Sequence, residues 1–92
     1  MVRLTRAQIE EELKQLPGWT FLGDAISKQY AFADFRQAVT FVARLVPGSE
    51  QADHHPDLEI NNRRVTVTYT THSEGGVTGS DIAGARMADQ CA

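Results

Sequence analysis

Residues 57–70 read Asp57-Leu58-Glu59-Ile60-Asn61-Asn62-Arg63-Arg64-Val65-Thr66-Val67-Thr68-Tyr69-Thr70, and this stretch decides the fold. In its second half Val65, Val67 and Tyr69 alternate with Thr66, Thr68 and Thr70, the β-branched and aromatic period-two pattern of a strand. In its first half Leu58 and Ile60 alternate with Glu59 and Asn61, which predicts another strand. The polar run Asn61 to Arg64 between them reads as a turn. The two segments form one hairpin.

Working back towards the N-terminus, a second hairpin appears. Trp19 and Phe21 alternate with Thr20 and Leu22, Gly23-Asp24 reads as a turn, and Ile26, Lys28, Tyr30 and Phe32 then fall on one face. Between the hairpins Asp34 offers a helix N-cap, followed by the apolar stripe Phe35, Ala38, Val39, Val42, Leu45 and Val46, wide enough to pack on a sheet. Phe41 falls at the edge of that stripe and hints at an interface. Pro47-Gly48 predicts an end or kink there. A first helix starts at Thr5 with Gln8 three residues on, carries Ile9, Leu13 and Leu16, and meets its stop at Pro17-Gly18. A last helix starts at Thr78, with Asp81 in the box position, and runs through Ile82, Ala85 and Ala88. The order is α-β-β-α-β-β-α. It predicts an α+β fold, a four-stranded antiparallel sheet with helices packed on one face. Open sheet edges in so small a subunit predict a homo-oligomer.

The chain has 92 residues, which fits a single domain over 1–92. Its 41% hydrophobic and 23% charged content is that of an ordinary globular protein rather than a disordered one. No apolar run approaches the roughly 20 residues of a membrane-spanning helix, so no membrane partner is expected. Arg3 and Arg6 followed by three glutamates do not read as a secretory signal. One cysteine, Cys91, allows no internal disulfide, and a cytoplasmic location is expected. With 9 basic and 12 acidic residues the net charge is −3, a poor match to a nucleic-acid surface.

All 3 histidines fall within a short stretch, at positions 54, 55 and 72. Pro56 biases His55 towards extended geometry, so the adjacent imidazoles should point in different directions and could address two sides of one planar ligand. His72 follows the strong strand, and the outer ends of the hairpin should bring it near the pair. Three imidazoles can supply a general acid, a general base and an orienting donor near neutral pH. Asp81, Glu50, Asp53 and Asp57 are candidates to hold an imidazole tautomer. Taken as pattern alone, a His-His pair in a polar loop is more often solvated surface, and Asp81 is most economically a first-turn residue facing the helix dipole. A zinc or iron site is the functional rival, but adjacent histidines seldom aim at one ion, and no His-x-His or His-x-x-x-His spacing occurs. No metal is therefore expected. Nucleophile elbows and phosphate loops are missing, since Gly75-Gly76 alone is too weak a signal.

Glu50-x-x-x-His54-His55-Pro56, then Thr71-His72, Gly75-Gly76-Val77-Thr78 and Asp81, resembles the pterin-4a-carbinolamine dehydratases, also called 4a-hydroxytetrahydrobiopterin dehydratases. The resemblance extends to Leu16-Pro17-Gly18-Trp19 and to Phe35, Ala38 and Phe41, and so covers nearly the whole chain. It implies the same element order and a cofactor-free lyase. Such an enzyme removes water from 4a-hydroxytetrahydropterin to give quinonoid dihydropterin, in tetrahydrobiopterin recycling beside an aromatic amino-acid hydroxylase. By position, His54 and His72 would be the acid/base pair, and His55 would orient the pterin and assist proton transfer. Asp81 would hold the histidines, with Glu50 and Pro56 as supporting motif residues. It further implies a homodimer or homotetramer. The vertebrate member also serves as the dimerisation cofactor of a homeodomain transcription factor, so a non-catalytic regulator or assembly factor of the same fold is the alternative. The sequence departs from the family pattern at Asn62, usually aromatic, at Leu58, commonly Trp, and at Pro47-Gly48, where the helix is often longer.

Overall fold

A computed structural model describes residues 2–92 of the chain. Strands β3 (Asp57–Asn61) and β4 (Arg64–Tyr69) form the hairpin expected of residues 57–70, with Leu58 opposite Val67 and Ile60 opposite Val65. Asn62 turns the chain between them at φ 55°, a left-handed conformation that asparagine adopts more readily than most residues. Strand β2 (Ile26–Ala31) pairs with the other edge of β4, placing Ile26 opposite Tyr69 and Tyr30 opposite Val65. The two-residue β1 (Thr20–Phe21) completes the sheet beside β2. The order is β1-β2-β4-β3, all antiparallel. The strand with the strongest alternation sits inside the sheet, and Val65, Val67 and Tyr69 are fully buried on the face that the helices cover.

Three helices follow the expected start signals. Helix α1 (Arg6–Leu13) opens with a reciprocal Thr5–Gln8 capping box. It closes at Leu13, earlier than the Pro17-Gly18 stop, and Leu16 reaches the core from the turn that follows. Helix α3 (Gly79–Cys91) opens with the Thr78–Asp81 box. Helix α2 (Phe35–Ala52) starts where Asp34 accepts the Gln37 N–H.

The expected break at Pro47-Gly48 does not occur, because α2 continues through Pro47 to Ala52. A proline removes one helical hydrogen bond, but Pro47 and Ala43 both lie on the exposed side, where water can serve the freed carbonyl. The buried row Ala38, Phe41, Leu45 and Ser49 carries the helix across that position. The stop comes at Asp53, in the left-handed conformation at φ 50°. There the Asp53 and His54 N–H groups cap carbonyls of the last turn, His54 bonding the Ser49 oxygen at 3.1 Å.

Phe41 is not an interface residue. It is 1% exposed and packs on Tyr30 and Phe32, at centroid distances of 4.7 and 5.1 Å. Burying such a ring stabilises a fold by about 1.5–3 kcal/mol. The apolar stripe of α2 is instead wider than the core it meets: Phe35, Val39 and Val46 are exposed, as are Leu58 and Ile60 on the edge strand β3.

Trp19, Lys28 and Tyr30 all donate to one oxygen of Asp89, tying the C-terminal turns of α3 to β2. Burial pushes the Asp89 carboxyl up, but the hydrogen bonds from Tyr30, Lys28 and Trp19 outweigh it and hold it below the usual carboxylate range. Burial, then the bond to Asp89, pushes the Tyr30 hydroxyl well up, and burial pushes Tyr69 up to about 12. The unfolded chain ionises its tyrosines at about pH 10. Both raised groups therefore stabilise the fold fully below that pH, and the contribution drains away as pH rises through the folded-state value. Denaturant unfolding at pH 8 and pH 11 will show lower stability at pH 11, with a smaller drop in Tyr30→Phe; equal drops in both proteins would refute this.

Candidate active site

The end of α2 sets the geometry of the histidines. Because Asp53 is left-handed, the chain reverses and His54 and His55 leave it in opposite directions, each towards its own carboxylate. His54 Nε2 lies 2.5 Å from Asp81 Oδ1, and His55 Nε2 lies 2.5 Å from Glu50 Oε2. The surroundings of these two pairs differ. The His54 and Asp81 side chains are 17% and 0% exposed, whereas those of His55 and Glu50 are 54% and 69% exposed.

Asp81 is built into the N-terminus of α3. Its Oδ2 accepts the Thr78 N–H at 2.8 Å and the Thr71 hydroxyl at 2.8 Å, while Oδ1 faces His54. An ionised carboxylate only accepts, so His54 Nε2 carries the hydrogen of this contact and Nδ1 is the ring atom able to take a proton. The positive end of the α3 dipole favours the negative charge at this position. The first-turn reading of Asp81 and its role as holder of an imidazole are one arrangement. Behind His54 the Tyr69 ring lies nearly parallel, at 5.8 Å and 18°.

Two cavities flank the pair. One, of about 300 Å³, lies between α2 and α3 and is lined by His54, Tyr69, Gly48, Ala52, Gly84 and Met87 among others. The other, of about 400 Å³, lies between α2 and the start of β3 and is lined by Val42, Val46, Ser49, Glu50, His55 and Leu58 among others, with Pro56 at its rim. The adjacent imidazoles therefore line different cavities. His72 lines neither; it is exposed at the start of a 3-10 turn, His72–Glu74. That turn is closed by the Thr71–Gly76 bridge, with Thr71 N–H to Gly76 O at 2.9 Å.

Of the four acidic candidates, Asp81 and Glu50 engage imidazoles. Asp53 serves as the helix cap and Asp57 opens β3, both exposed and facing no histidine. Among the described residues no group of three histidine, cysteine or acidic side chains gathers in the manner of metal ligands. The sequence reading has Thr78 as a helix cap and Thr71 as a motif residue, and gives neither a part in the site. The signal was present in the Thr71-His72 dipeptide, where a hydroxyl at a strand end adjoins a candidate histidine. The hydroxyls of Ser49 and Tyr69 are also buried here, and the Ser49 hydroxyl acts on that of Tyr69 against the effect of burial.

Residues 2–91 match the family model described as Pterin 4 alpha carbinolamine dehydratase. The chain belongs to the pterin-4a-carbinolamine dehydratase family. It is 51% identical over 80 residues to a protein of Thermosynechococcus vestitus named "Putative pterin-4-alpha-carbinolamine dehydratase", covering 87% of this chain and 84% of that one. A protein of the same name in Thermomicrobium roseum is 46% identical over 86 residues, 94% of this chain and 92% of that one. Among solved structures, the transcriptional coactivator/pterin dehydratase from Brucella melitensis superposes with a TM-score of 0.94 at 40% identity, covering 98% of both chains. A pterin dehydratase-like protein described as a RuBisCO assembly factor of the alpha-carboxysome shares the fold alone, with a TM-score of 0.69 at 22% identity over 80% of this chain and 88% of that one. The dehydratase fold thus carries more than one described role.

Proposed function

We propose that this chain dehydrates a 4a-hydroxytetrahydropterin to the quinonoid dihydropterin by histidine acid/base catalysis, without a cofactor. The observation that carries the reading is the His54–Asp81 pair, an imidazole held through Nε2 by a buried carboxylate. In the reaction the C4a–O bond breaks, one proton goes to the departing hydroxyl, one leaves a ring nitrogen, and water is the second product. His54 and His72 act as the acid/base pair. His55, braced by Glu50 and preceding Pro56, orients the pterin and assists proton transfer. In the cell the enzyme works in the cytoplasm, serving an aromatic amino-acid hydroxylase in tetrahydrobiopterin recycling.

The test is turnover by the purified protein with no added metal, paired with titration by a quinonoid dihydropterin analogue while the three imidazole signals are followed. Acceleration over the spontaneous dehydration, together with shifted imidazole signals, supports the reading. No acceleration and unmoved signals at saturating analogue would overturn it. A stoichiometric partner protein co-purifying with such an inactive chain would favour the assembly-factor role instead.

The same chain is proposed to work as a homodimer or homotetramer. Among the described residues the outer edge of β3 is unpaired, and Leu58 and Ile60 beside it join Val39 and Val46 of α2 as exposed apolar side chains. A monomeric mass by light scattering at micromolar concentration would exclude a second copy on this face.

A further inference from the structure

We propose that Thr71 is a positioning residue whose hydroxyl ties the His72 turn to the buried Asp81 carboxylate, so that one carboxylate places both His54 and His72. Its catalytic consequence rests on the dehydratase reading; its structural consequence does not.

The hydrogen-bond directions follow from the donors available. The Asp81 carboxylate only accepts, so the 2.8 Å contact from Thr71 Oγ1 to Asp81 Oδ2 consumes the Thr71 hydroxyl hydrogen. Thr71 Oγ1 also lies 2.8 Å from Thr78 Oγ1, and there the Thr78 hydroxyl must donate. Thr78 Oγ1 in turn accepts the Ser80 N–H at 3.2 Å. The Thr71 and Thr78 hydroxyls each have a fixed direction, and the relay they form ends on a carboxylate that is 0% exposed.

Thr71 is covalently joined to His72, and its backbone closes the turn through the bridge to Gly76. It also accepts the Glu74 N–H at 3.0 Å. The turn that presents His72 is therefore anchored at Thr71, and the Thr71 side chain is anchored on Asp81. Asp81 reaches His54 directly at 2.5 Å and His72 through one side chain and one peptide link. Although His54 and His72 stand on different elements, their relative placement depends on a hydroxyl that neither histidine contacts.

The experiment compares Thr71→Val, which keeps the shape and removes the hydroxyl, with Thr71→Ser, which keeps the hydroxyl. The readouts are kcat and KM for the dehydration and the ring-nitrogen NMR signals of His54 and His72. Thr71→Val should lower kcat about 10- to 100-fold with KM little changed, the loss expected when a hydrogen bond to a buried charge is removed. It should shift the signals of both histidines, and Thr71→Ser should restore rate and signals. Unmoved His72 signals in Thr71→Val would overturn the proposal, as would a Thr71→Ser protein as impaired as Thr71→Val. Absence of turnover in the unaltered protein would strike the dehydratase reading alone, since the imidazole signals still decide the positioning.

Discussion

His54→Ala will lose about 10²–10⁴-fold in dehydration rate, and Asp81→Asn will approach the same loss with its fold intact. The first variant deletes the group that exchanges the proton. The second is the sharper test, because it leaves the imidazole in place and alters only which nitrogen carries hydrogen. Asp81 Oδ2 receives two donors, the Thr78 N–H and the Thr71 hydroxyl, while Oδ1 receives one from His54. An asparagine has one acceptor oxygen, and the position with two donors will take it. Its amide group then faces His54 Nε2 and donates, so the imidazole must move its hydrogen to Nδ1. The free ring nitrogen changes from an acceptor to a donor, which is the wrong form for taking a proton. Ring-nitrogen NMR of Asp81→Asn will report the reversed tautomer, and thermal unfolding will show the fold retained. A reversed tautomer with unchanged kcat would separate His54 from the chemistry. His72→Ala should match His54→Ala if the two are the acid/base pair, and full activity in the double variant would remove both from the mechanism.

How this site was legible follows from which residues act locally. Alternation in residues 57–70 and the caps at Thr5, Asp34 and Thr78 are short-range signals, and each element formed where its signal lay. Pro47 misled because a proline is a local veto, whereas the buried Phe41–Leu45–Ser49 row that overrides it belongs to packing between layers. Phe41 was misplaced for the same reason: the edge of a stripe in one dimension became its centre once β2 and β4 supplied the facing rings. Glu50 lies five residues from His55, near enough in sequence to be a candidate partner for an imidazole, though the choice of His55 needed the structure. Asp81 lies 27 residues from His54, and the left-handed Asp53 and the sheet together bring them into contact. The divergence of His54 and His55 was expected from Pro56. Their lining of different cavities was not, because the reversal at Asp53 adds to that divergence.

Gly84→Val will cost the protein about 3 kcal/mol or more and lower its Tm by roughly 12 °C or more. Gly84 lies on α3 directly against the ring of Tyr69. A Cβ built there would stand 2.5 Å from Tyr69 Cε1 and 2.6 Å from Cζ, closer than carbon atoms can approach. Tyr69 is 0% exposed, with the Trp19 ring 6.2 Å and the His54 ring 5.8 Å from its own, so moving it disturbs both neighbours. A glycine inside a helix ordinarily costs about 1 kcal/mol relative to alanine, so the fold gives up helix propensity here to admit the ring. Overpacking by three carbons outweighs whatever propensity the larger residue returns. The displaced Tyr69 ring will also press on His54, so the His54 imidazole signals should shift in any fraction that folds. Gly79→Ala is the control: it lies in the first turn of the same helix and an added Cβ meets nothing within 4 Å. Its Tm should stay the same or rise. A Gly84→Val protein as stable as Gly79→Ala would show that Tyr69 has room to move, and that the close contact between α3 and β4 does not fix the wall behind His54.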